Sequence, residues 1–270
     1  MTGNWRWNEQ NKNPIVNCGI GMEFARSFSP QAVNAVGELY HDLKQDLPRR
    51  FPQIAFLVQP QSSMGVAAPQ TVNGFVFDVV KSNGEQLRAL SVVNNQVFFT
   101  TTEYDNWSNT WGLANKFFGI VLPSVLLGNS ITKLHVNYID RFYFDGPVDA
   151  AEISSLLKEC RFFAKNAFQC ESYWHSHHGF FVASESGNIL ENVNINVLDM
   201  EGVGSLEKNR TVDILTTLRL DLVAAIEGDA AGALQKVAGK FSTVHDLNKK
   251  ILSEVLKEEI SKNIPNLIKG

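Results

Sequence analysis

Asn83-Gly84 is the most constraining pair of residues in this 270-residue chain. It stands between two apolar runs, Phe75–Val80 and Leu87–Val93. Asn-Gly in that setting closes a tight antiparallel hairpin, because a type I′ turn needs positive φ at both central residues. Asn94-Asn95 then separates the second run from Val97–Thr101. Asn tolerates the left-handed region, so a second tight turn follows the first. The two turns predict a three-stranded antiparallel meander over 74–102.

A second meander is written further along. Phe180–Glu185 and Ile189–Leu198 flank Gly187-Asn188. Val193, Ile195 and Val197 alternate with Asn192, Asn194 and Asn196, the period-two pattern of a strand with one dry and one wet face. After a looser stretch, Val212, Ile214, Leu218, Leu220 and Leu222 point one way. Thr211, Asp213, Thr217, Arg219 and Asp221 point the other, giving the clearest strand in the chain.

Helical spacing brackets both meanders. Ser29-Pro30 opens a helix to Leu47, with Pro at its first position and Val33, Val36, Leu39, Tyr40 and Leu43 as its apolar stripe. Asp105 or Asn106 caps a second helix that Pro123 kinks or ends. A short helix is expected over Asp149–Leu157, and a last one over Ala230–Lys262 with a break near Gly239. Gln59–Gln70 and Gly202–Lys208 look like exposed loops. The class is α+β: antiparallel meanders flanked by helices, in two halves of similar layout, 1–147 and 148–270, packed as one compact unit. No residue-level repeat accompanies that layout.

Composition restricts function more than it reveals it. The net charge is −4, which supplies no bulk basic field for nucleic acid. Arg49-Arg50 and Lys249-Lys250 are small basic elements, and nucleic acid ranks last among partners. The longest apolar run, Phe117–Leu127, carries Pro123 and falls short of the roughly 20 residues a membrane span needs. Met1 to Asn13 has no apolar segment fit for a signal peptide. Cys18, Cys160 and Cys170 are few, odd in number and unspaced for metal, so they read as reduced thiols. A cytoplasmic protein without a membrane anchor is the expectation. Trp5 and Trp7 in the polar N-terminus either stack on the body of the fold or meet a partner.

Between the halves runs Leu134-His135-Val136-Asn137-Tyr138-Ile139-Asp140-Arg141-Phe142. This stretch resembles the signature strand of a sporadically distributed prokaryotic protein family of unknown function. That strand reads roughly Leu-Arg-Tyr-Ile-Asn-Arg and then an apolar residue. Tyr138, Ile139 and Arg141 match it, while Asn137 stands in place of Arg and Asp140 in place of Asn. Further landmarks are similar in the same order: Asn13-Pro14-Ile15, Glu23-Phe24, Phe51-Pro52, Tyr104 with Trp107, and Phe241 followed by Val244-His245. The resemblance implies one compact α+β unit and no particular activity. Patchy distribution is associated with accessory systems of the defence or toxin-neutralising kind.

Two places carry candidate chemistry. On the signature strand, Leu134, Val136, Tyr138, Phe142 and Phe144 share a face with Asp140, while His135, Asn137, Ile139 and Arg141 share the other. Arg141 offers a bidentate fork to a ligand, or pairs a neighbouring carboxylate such as Asp213 or Asp221. Asp140 on the apolar face needs a partner. The second place is His175, His177 and His178. His175 and His177 fall on one side of a strand, a spacing that suits zinc or iron when a third ligand such as His135 or Asp199 joins them. No Gly-x-Ser-x-Gly, phosphate loop or HExxH pattern accompanies either place, and no cofactor is implied. Two readings of function follow. One is a non-catalytic binding or regulatory protein whose partner is another protein. The other is a small-molecule or metal-dependent enzyme using the Arg141 face together with the histidines, which requires both to converge on one cavity. The pattern also allows a homo-oligomer, since core and dimer faces look alike in sequence.

Overall fold

The computed structural model describes residues 4–7, 13–56, 70–170, 172–201, 208–265 and 267. The two expected loops, 59–70 and 202–208, lie almost wholly outside them. Among these residues, ten strands form a single antiparallel sheet. They are β1 (Trp5–Arg6), β2 (Ile15–Phe24), β3 (Arg49–Phe56), β4 (Gln70–Val80), β5 (Gln86–Val93), β6 (Gln96–Thr101), β7 (Ile131–Phe144), β8 (Trp174–Ser184), β9 (Gly187–Glu201) and β10 (Lys208–Ile226). Their order across the sheet is β3-β4-β5-β6-β2-β7-β10-β9-β8, with β1 pairing the end of β7. Both expected meanders are present, and β2 and β7 weld them together.

The sheet and the buried core run across the expected division at residues 147 and 148. β7 and β10 pair along almost their whole length, from Thr211 opposite Tyr143 to Asp221 opposite Lys133. Buried apolar residues from both sides of that position make one core. Five strands continue from one side of β7 and three from the other, so the flanks do not match as copies.

Helices cover one face of the sheet. Ser29 caps α1 (Pro30–Glu38) by accepting from the Ala32 amide, as its position before Pro30 predicts. The helix breaks at Leu39, and a single turn, α2 (Tyr40–Leu43), carries it on. Asn106 caps α3 (Trp107–Val125), which ends two residues after Pro123. α4 (Ala230–Val255) runs through Gly239 without a break. It stops where Leu256 turns extended and bridges Leu157, before the short α5 (Glu258–Ser261). The expected helix over 149–157 resolves into two 3-10 turns, Val148–Ala150 and Ile153–Ser155. Trp111 of α3 packs on Phe241 of α4, ring centres 5.0 Å apart.

The Asn83-Gly84 turn closes the β4–β5 hairpin by a different route from the one expected. Only Gly84 has positive φ, +85°, and its amide bonds back to the Lys81 carbonyl. That is an ordinary turn followed by a glycine bulge, and the register shifts beside it. Asn94 does enter the left-handed region, at φ 58°. Trp5 settles on the fold: its ring lies 5.4 Å from Phe144 and its indole N–H donates to Ser155 Oγ at 2.9 Å.

Two glycines make opposite predictions. No atom lies within 4 Å of a Cβ built at Gly84 or at Gly239. Gly84→Ala therefore costs about 1 kcal/mol through backbone conformation alone. Gly239→Ala, inside a helix, gains about 0.5–1 kcal/mol. Urea midpoints should move in opposite directions with unchanged slope.

Candidate functional site

β7 sorts its side chains by parity. Its outer face carries His135, Asn137, Ile139 and Arg141; its helix-covered face carries Tyr138, Asp140 and Phe142. On the outer face Arg141 grips Asp213 of β10 with two hydrogen bonds of 2.7 Å each. This is the pairing reading of Arg141, and it occupies the guanidinium fork. His135 Nε2 lies 3.5 Å from Glu23, which also binds Lys133 at 2.7 Å. Burial and the nearby Arg219 and Lys133 charges lower the His135 pKa against the pull of Glu23. Asn137 stands opposite Gly19 on β2, where the Phe98 ring fills the space over the glycine, and its Oδ1 is buried without a partner.

The histidines are elsewhere. His175 and His177 are exposed on β8, the outermost strand. The ladder runs His175–Asn196–Asp213–Arg141, three strand spacings of about 4.8 Å, so about 14 Å separates the ends. None of the described cavities is lined by Arg141 or by these histidines. His178 points to the opposite face and meets Ser176 Oγ at 2.9 Å. Asp199, a candidate third ligand, is taken by Arg210 at 2.6 Å. Among the described residues, no three His, Cys, Asp or Glu side chains cluster closely enough to hold a metal ion. The convergence that the enzyme reading requires is thus not made: a strand holds its residues apart by sheet geometry, and these lie on non-adjacent strands. The small basic elements are likewise engaged, Arg49 with Asp78 and Lys249 with Asp246.

Asp140 is different. It has no exposed surface, and neither carboxylate oxygen has a hydrogen-bond partner. Its ladder neighbours are Ile15 on β2 and Ile214 on β10, both buried. Tyr138 and Phe142 flank it on the same face. Desolvation raises its pKa to about 7. Buried polar groups are nearly always satisfied, so a carboxylate left with two free oxygens calls for a functional explanation.

Asp140 stands at the floor of a cleft of about 550 Å³. One wall is the approach to β2, where Asn13 accepts from the Ile15 amide at 3.1 Å and donates to the Asp105 carbonyl at 3.1 Å. A second is the start of α3, from Tyr104 to Ser108. The third is α4, with His245, Asn248, Lys249 and Leu252, and the chain beyond it closes the cleft with Ile264 and Leu267. Trp107 stacks flat on His245, ring centres 4.4 Å apart and planes 5° apart. His245 Nδ1 and the Tyr138 hydroxyl share a 2.7 Å hydrogen bond. Burial lowers the His245 pKa to about 4, so the ring is neutral. Asn248 is buried, and its Oδ1 has no partner either.

No protein-family model, no curated protein and no solved structure matches the chain. The geometry therefore has to carry the reading. Period-two alternation isolates Asp140 from sequence alone. His245 and Asn248 escaped it, although both interrupt the apolar stripe formed by Val237, Phe241, Val244 and Ile251 of α4, and that interruption is the signal that finds them.

The raised pKa gives a signed prediction. The folded protein holds the Asp140 proton more tightly than the unfolded chain does. The stability this group contributes is complete at low pH and is lost as pH rises from about 4 to about 7. Asp140→Asn removes that loss. At about pH 8 the variant should exceed the parent by up to roughly 4 kcal/mol, and the gain should vanish near pH 4. Chemical denaturation of both proteins across pH checks it. Tyr138→Phe strands the buried His245 nitrogen, and the same melts should show a loss of about 1–3 kcal/mol at neutral pH.

Proposed function

We propose that this chain is a binding protein whose cleft between β7, α3 and α4 takes a small organic molecule against Asp140. One observation carries the reading: a fully buried carboxylate with two unpartnered oxygens at the floor of a cleft whose walls are largely apolar and aromatic. Ligand sites are concave, mostly apolar, and carry a few convergent polar groups with shifted pKa values. The cleft volume falls within the ~300–1,000 Å³ range of such sites.

The binding reading is favoured over acid–base catalysis by the neighbours of Asp140. The Tyr138 hydroxyl is spent on His245, and the His245 ring is covered by Trp107, so both are fixed parts of the wall. A regulatory role in an accessory system, which the family resemblance implies, is compatible with a ligand-responsive protein of this kind. Protein partners and self-association belong to the same proposal, with the ligand as the signal they read.

Thermal melts with a library of small organic molecules test the reading. A true ligand at a hundred times its Kd adds about 2.7 kcal/mol to stability. Ser108 is an exposed residue of the cleft wall, and Ser108→Trp plugs the site from its rim. The expected result is one or more compounds that raise the melting temperature of the parent but not of Ser108→Trp. Compounds that stabilise both proteins equally would place binding elsewhere and overturn the assignment.

A further inference from the structure

We infer that the molecule this cleft takes is an organic primary amine, its ammonium group donating to Asp140 and its apolar body lying against Trp107 and Leu252. The inference rests on the cleft being a ligand site and goes on to fix the ligand's charge and head group.

Three buried oxygens in this cleft lack donors: both of Asp140 and Oδ1 of Asn248. An ionised carboxylate only accepts, so its complement is a donor group. A primary ammonium brings three N–H donors in the smallest cationic head group. Size matters here because Asp140 has no exposed surface. The head group reaches the oxygens by turning aside the side chains above them, which a compact ammonium demands far less than a planar guanidinium fork.

Charge points the same way. The cationic side chain in the wall, Lys249, is paired with Asp246 at 2.9 Å. Arg141, the next residue along β7, faces away and is held by Asp213. A second carboxylate, Asp105, also lines the cleft. An anionic ligand would meet two carboxylates, whereas a cation meets a buried one that no described side chain neutralises. Trp107 and Leu252 in the wall supply apolar surface for the body of the ligand.

The pairing has a proton consequence. The groups around Asp140 are Tyr138 on β7 itself, Cys18 from β2, Tyr104 and Asp105 from the approach to α3, and His245 and Lys249 from α4. Burial pushes the Cys18 thiol and the Tyr104 and Tyr138 hydroxyls well above their ordinary values, and His245 titrates near 4. Asp140 is therefore the member that changes charge near pH 7. Below that pH an incoming ammonium must displace the Asp140 proton to solvent, one proton per ligand.

Calorimetry with 2-phenylethylamine, and with 2-phenylethanol and 3-phenylpropionate as neutral and anionic matches, tests the inference. The amine should bind the parent at least about tenfold more tightly than either match at pH 8. Its affinity should fall about tenfold per pH unit below 7 and level off above it. Asp140→Asn should lose both the preference and the slope, and Ser108→Trp should bind none of the three. Equal or better binding of the alcohol or the acid, blocked by Ser108→Trp, would overturn the amine inference and leave the cleft assignment standing. Failure of all three probes to bind the parent at about 10 mM would also overturn it, because a buried carboxylate and an apolar wall suited to an aryl ammonium bind at millimolar concentration at least. The library melts then decide the cleft separately.

Discussion

β7 exchanges ladder hydrogen bonds with β2 along one side and with β10 along the other, and both flanks of the sheet hang from it. A strand paired on both sides has its register fixed twice. A slip of one residue would carry Leu134, Val136, Tyr138 and Phe142 out of the core and drive Lys133 and Arg141 into it. The burial alternates cleanly along the strand as a result. That fixed parity is what holds Asp140 in the apolar layer although its side chain is a carboxyl group. To leave that layer, Asp140 would have to drag the whole strand with it.

The helices complete the constraint. α3 and α4 meet over β7 through Trp111 and Phe241, and Trp107 lies flat on His245. The Asn106 cap and the Asn13 hydrogen bonds hold the first turn of α3 against the approach to β2. Between these fixed parts lies the cleft, with the buried Asp140 carboxyl group beneath it and Asp105 in its wall. No helix among the described residues is long and apolar enough to cross a membrane. On the outer face the charged groups pair with one another, Arg141 with Asp213, Lys133 with Glu23, and Arg219 with Asp221, while the unpartnered buried atoms there belong to neutral amides and to His135.

Much of the sheet is legible because turns and alternation are local signals. Asn83-Gly84 and Asn94-Asn95 sit where two strands meet, whereas the turn expected at Gly187-Asn188 falls at Glu185-Ser186, and Gly187-Asn188 opens β9. β3 was less legible: it is an edge strand carrying Pro52, with Phe51 and Ile54 half exposed, so it lacks a dry face to alternate. The break in the last helix falls at Leu256 because that residue bridges Leu157, about a hundred positions away in sequence, and a residue-by-residue reading has no access to that contact. Gly239 looked like the breaker by composition, yet it faces open space and the helix passes over it.

The amino-acid sequence by itself determined the class, the two meanders, the capped helices and the parity that singles out Asp140 on β7. Those are consequences of φ/ψ preference and of a period of two, which act within a few residues. Only the tertiary structure decided which suspect residues meet. It set His175 three strands from Arg141, gave Arg141 to Asp213, and brought His245, Asn248 and Trp107 round the Asp140 carboxylate. The reason is physical: the ends of β2, β7, α3 and α4 converge through strand order and helix packing, and strand order is set by contacts between residues far apart in the chain.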